Sequence, residues 1–186
     1  MSEYEKYDGR PVKFLIHART GLMDEKLWCS WLFLCLILFL LNITGVMDLK
    51  LIKIGEFVDS SIAGLSFSLI VVSAVREIFE KNELIIIYKR QNDNEKQGLL
   101  LLKVLAPYVF TSMIFLVLGI ISLIAPLVTV ALPINMVIMI KYLYVALLLL
   151  GLFSLFHVCY GIIINIYNSV RREVIKENIK NKEKKE

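Results

Sequence analysis

Four membrane-spanning helices with both termini on the cytoplasmic side are what this sequence predicts, an all-α polytopic membrane fold. Three observations carry that expectation. The chain of 186 residues is 58% hydrophobic with a mean hydropathy of +0.69, well above the 45–50% usual for a soluble domain. Its apolar residues gather into four runs, each near the ~20 residues a helix needs to cross the hydrocarbon layer. Finally, 18 of the 21 Lys and Arg fall in three segments that alternate with two nearly uncharged ones.

The first segment, 1–26, carries Lys6, Arg10, Lys13, Arg19 and Lys26 and is read as a cytoplasmic arm. Within it Val12, Leu15, Ile16, Leu22 and Met23 roughly follow a 3.6-residue period, with Lys13, His17 and Arg19 on other faces. That suits an interfacial helix beginning near Pro11; a loosely ordered arm fits as well. The first apolar run, 27–46, follows a mixed-charge stretch and has no small-x-small site after a short core. It reads as a retained span, not a cleaved signal.

The second run, 57–75, holds Ser60, Gly64 and Ser68 at a four-residue spacing. Helices in lipid associate by close backbone approach, so this stripe is expected to face another helix, of the same chain or of a second copy. Past Val75 the pattern continues as a cytoplasmic hairpin over 76–103, with a turn signal at Gln91, Asn92, Asp93 and Asn94. Asn94 and Gln97 have capping-box spacing. Helices are favoured there, although the Ile- and Tyr-rich stretch 84–88 is compatible with a hairpin strand.

The third run, 104–124, contains Pro107, which should bend or restart the helix. The connection 125–141 is too apolar for an aqueous loop. Either it lies in the outer interface, or the fourth helix starts early, after Pro133, at a steep tilt. The fourth span is expected within 142–166, and 171–186 forms a charged cytoplasmic tail, read as a solvated helical extension that frays.

Orientation follows from basic residues in short loops. The loop after the second span carries Arg76, Lys81, Lys89, Arg90, Lys96 and Lys103, and the tail carries seven more, against only Lys50, Lys53 and Lys141 on the far side. Aromatic residues agree: Trp28, Trp31, Tyr160 and Tyr167 would mark the inner headgroup layer, Tyr142 and Tyr144 the outer.

Polar groups at membrane depth are functional candidates. Asp59 and Lys141 could form an ion pair near the outer ends of their spans, or snorkel separately. His157 and Asn165 lie two turns apart on one face of the fourth span, where His157 could titrate or simply hydrogen-bond a neighbouring helix. Cys29, Cys35 and Cys159 lack any C-x-x-C spacing. The chain has no phosphate loop, no G-x-S-x-G and no H-E-x-x-H. No catalytic residue, cofactor or metal is therefore expected, and the protein is read as a non-enzyme. Transport by inverted repeats lacks its matched broken helices. The tail interleaves Lys with Glu and has no aromatics, so direct nucleic-acid binding is not expected.

The stretch 67–79, in which Phe67, Ser68, Leu69, Ile70, Val71 and Val72 lead through Val75 into Arg76, Glu77, Ile78 and Phe79, is followed by a charged turn. The chain then returns as Leu102, Lys103, Val104, Leu105, Ala106, Pro107 and Tyr108. This layout resembles the small four-span membrane subunits of bacterial anti-phage defence systems, such as the membrane component of Kiwa. The likeness covers the whole chain as topology and has no diagnostic motif. It implies a homo-oligomer in the bacterial inner membrane that senses phage attack on the envelope and works with a cytosolic protein partner. Arg76, Lys81, Lys89, Arg90 and Lys96 would then offer the partner surface. Two other readings fit the same topology. One is a pore-forming, depolarising effector lined by Thr111, Ser112, His157 and Asn165; the other is a bacteriocin-immunity or small accessory membrane protein.

Overall fold

The protein is an up-and-down helical bundle in its computed structural model, which describes residues 22–78, 99–128 and 133–183. Four helices cross it: α1 (Glu25–Ile43), α2 (Val58–Ile78), α3 (Leu99–Ile124) and α4 (Ile134–Glu183), with no strand among the described residues. All four are long and apolar enough to span a membrane. The chain is thus a multi-pass membrane protein by helix length and composition. The connection 79–98, including Lys81, Lys89, Arg90, Lys96 and the 84–88 segment, lies outside the described residues, as does the arm 1–21.

Helix ends follow from local chemistry. α1 stops where Gly45 takes φ +73°, a left-handed conformation that glycine adopts without steric cost. Thr44 and Met47 amides then close back onto the Leu40 and Leu41 carbonyls at 2.9 and 3.1 Å. A short 3-10 turn, Leu49–Leu51, is nucleated by Asp48, whose Oδ1 accepts the Lys50 amide at 2.9 Å. α4 starts directly after Pro133, whose carbonyl accepts the Met136 and Val137 amides at 2.9 and 3.2 Å. Of the two readings of 125–141, the early helix start is the one that forms. Pro107 sits inside α3 without restarting it. The helix runs through, and the Thr111 hydroxyl donates to the Pro107 carbonyl at 2.8 Å. Proline is tolerated in such helices because neighbouring hydroxyls and backbone shifts re-satisfy the groups it frees.

α3 is the central helix. It supplies Ala106, Tyr108, Thr111, Ile114, Phe115, Leu118 and Ser122 to the interior, whereas α1 buries only Cys35 of its own length. The junction of α2, α3 and α4 is a knob in a double socket. The Phe115 ring packs over Gly64 of α2, where a Cβ would fall within the ring, and against Gly151 of α4, where one would approach Cζ to 3.1 Å. Glycine at both positions is what lets the backbones close on that ring.

The packing face of α2 is rotated from the predicted one. Gly64 and Ser68 are buried on α3 as expected, but Ser60 is exposed and Ser61 takes its place. One residue turns a helix by about 100°, and small side chains at 60 and 61 left either face available. The stripe is consumed within the chain.

Candidate functional site

Two interhelical layers of hydroxyls cross the bundle, and they fix which groups remain for function. Tyr144 was expected to mark a headgroup belt. Instead it is 2% exposed, with its hydroxyl 2.5 Å from Ser122 Oγ and 3.4 Å from Ser61 Oγ, tying α4 to α3 and α2. Deeper, Thr111 Oγ1 meets Ser154 Oγ at 2.6 Å and Ser68 Oγ meets Ser112 Oγ at 3.0 Å. Thr111 donates to the Pro107 carbonyl of its own helix and accepts from Ser154. In the Ser68–Ser112 pair one hydroxyl donates to the other, which donates to its own helix, Ser68 to Leu65 or Ser112 to Tyr108. Tyr142 likewise leaves the belt and donates to the Cys35 carbonyl of α1 at 2.9 Å. The sequence signal for these layers was present as Ser and Thr in apolar runs, but pairing them requires the helix rotations.

α1 docks on α4 through Trp31, whose indole Nε1 donates to the Ala146 carbonyl at 3.0 Å, with Trp28 edge-on to it at 5.6 Å. This antiparallel register sets Asp24, just before α1, toward the His157 end of α4. Below that level α1 covers nothing.

There α3 and α4 enclose a cleft of about 220 Å³ lined by Lys103, Val104, Pro107, Tyr108, His157, Val158, Gly161 and Asn165. His157 and Asn165, predicted on one face, share this cleft. They are eight residues, about 12 Å, apart along α4. The cleft carries one ammonium, one imidazole, one amide and one phenol on apolar walls.

At the opposite end a second cleft of about 540 Å³ is bounded by residues 52–56, Ala125, Pro126 and Lys141. Lys141 does not pair with Asp59: its Nζ donates to the Lys50 carbonyl at 2.7 Å, and Asp59 is exposed. Backbone geometry decides this, because the α1–α2 connection folds down over α4 and delivers a carbonyl first. Lys53 pairs with Glu56 at 3.3 Å on the surface. Gly55 lies against Pro126, where a Cβ would stand 3.5 Å from Cγ.

α4 is one helix of 50 residues, about 75 Å long, and it runs through residue 170 into the tail as the expected helical extension. Arg76 lies in the last turn of α2. No family model, no curated protein and no solved structure matches the chain.

Proposed function

We propose that the chain is a non-enzymatic bacterial inner-membrane scaffold that self-associates, and that it couples the state of the envelope to a cytosolic protein. The observation that carries this reading is the unbroken α4. It starts at the Lys141 end, traverses the bundle, and continues for 18 residues beyond Asn165, which still lines the cleft with α3. That is about 27 Å of helix past the cleft. The clustering of 18 of 21 basic residues supports reading both termini, and with them this projecting end of α4, as cytoplasmic.

The far end supplies an input. Lys141 of α4 holds the Lys50 carbonyl, and the same connection packs over Pro126. A force on that loop acts directly on the first turns of α4, and a continuous helix transmits displacement along its axis. In the defence setting that the resemblance implies, the input is phage attack on the envelope, and the output is felt by a protein bound near α4 and Arg76.

The pore reading is disfavoured. Two of the four side chains it would need, Thr111 and Ser112, are occupied by Ser154 and Ser68 inside one chain. The test is affinity purification from the native host in mild detergent, comparing the full chain with one truncated after Arg171. A soluble protein retained by the first and lost from the second is the expected result. Retention by neither, together with loss of membrane potential on expression, would replace the scaffold with a pore.

A further inference from the structure

The Ser61, Gly64 and Ser68 face is used up inside the chain, so self-association needs another surface, and α4 presents one. Phe156, Tyr160, Ile163, Tyr167, Val170 and Val174 recur at alternating spacings of four and three, and all are between 51 and 67% exposed. This seam lies opposite the buried Ser154 and Val158, on the side of α4 turned away from the bundle. Phe156 and Tyr160 stack on one another along it, with ring centroids 6.2 Å apart and planes 10° from parallel.

We infer that this seam is the contact with α4 of a second copy, in a parallel two-helix coiled coil that begins in the membrane and continues into the cytoplasm. The alternating spacing is the 3.5-residue period that keeps apolar side chains facing a partner helix. A stripe serving only to face lipid has no need of it.

Depth makes the same point. A hydrocarbon layer of ~30 Å covers about 20 residues of helix. Counted from Lys141, it ends near Gly161, which lines the same cleft as Lys103. Val174 lies past that edge and past Arg171, where the apolar span of α4 ends, and it is exposed on a helix that runs on into the charged tail. Two copies in one membrane share orientation and depth, so identical seam positions meet about a two-fold axis along the membrane normal. Six such side chains at roughly 100 Å² each offer roughly 1,200 Å² in total between two copies, the lower bound for a specific interface.

The inference rests on the self-association in the proposed function but is read out separately from the soluble partner. With Cys29, Cys35 and Cys159 replaced by Ala, single cysteines are placed at Ile163, Tyr167, Val170 and Val174, and for comparison at Asn165, Asn168 and Ser169. Each variant is oxidised in native membranes. Disulfide-linked homodimer on the order of ten-fold above the comparison positions is expected at all four seam positions. Equal linkage at both sets, or none at the seam, overturns the coiled coil. As a second variant, V170E with V174E lies beyond the bundle, and its native mass in mild detergent should fall from dimer to monomer while the melting of the bundle is unchanged. A dimer that persists also overturns it. Seam linkage without a soluble protein on purification would refute the partner and leave the seam standing.

Discussion

Gly64 and Tyr144 hold the same three helices together through different physics, and the two magnitudes differ. Phe115 fills the space that any side chain at 64 would need. Overpacking of this kind costs about 1–3 kcal/mol, occasionally more. The hydroxyl of Tyr144 joins Ser61 and Ser122, but interhelical hydrogen bonds in membranes average only about 0.6 kcal/mol. Packing therefore outweighs the hydroxyl layers. Gly64→Ala should lower stability by several times the loss from Tyr144→Phe when unfolding is followed by circular dichroism in detergent. Phe115→Leu should recover part of the Gly64→Ala loss by thinning the knob. Equal effects of Gly64→Ala and Tyr144→Phe would mean that the ring does not seat on Gly64. Which of two adjacent serines faces α3 was not legible, because both are small and one step in sequence is about 100° in rotation. Hydropathy marks the span but not the side.

At the scale of elements, the four spans were legible and their contacts were not. Length and hydropathy give a membrane helix whatever surrounds it. A helix that is apolar all round, as α1 and α3 nearly are, carries no stripe to say which way it points. The start of α4 was marked only by Pro133, and Tyr142 imitated a belt residue while bonding α1. Two predictions belong here. Lys141→Met removes the tether to the Lys50 carbonyl. It should cost no more than about 1 kcal/mol of stability while hastening proteolysis in 44–57 from the outer side; unchanged cleavage would show that the loop is held by Leu49 packing alone. Ser169→Pro breaks α4 outside the bundle, and an interior proline costs a helix about 3 kcal/mol locally. Bundle melting should be unchanged while the soluble partner is lost. A partner retained at wild-type level would remove the continuous rod from the account.

The whole molecule joins a tethered loop at one end to a long helix at the other, with central α3 holding the junction. Its polar candidates divide accordingly. Asp59 and Lys141 go to separate surroundings, while His157 and Asn165 line one cleft with Lys103. The sequence could place the latter pair on one face because helical spacing alone decides it. It could not foresee the carbonyl that captures Lys141, because a loop path is set by tertiary packing. Orientation is checked with a membrane-impermeant thiol reagent on intact cells, in a background lacking the native cysteines. A cysteine at Lys53 should be labelled and one at Asn168 should not. The reverse pattern would invert the topology and with it the cytoplasmic partner.

A self-associating membrane scaffold whose projecting helix holds a soluble protein should be recovered whole from its own host in mild detergent. Native mass determination of that complex should give two copies of the chain with a stoichiometric soluble protein. A single chain with nothing bound would refute both the self-association and the partner.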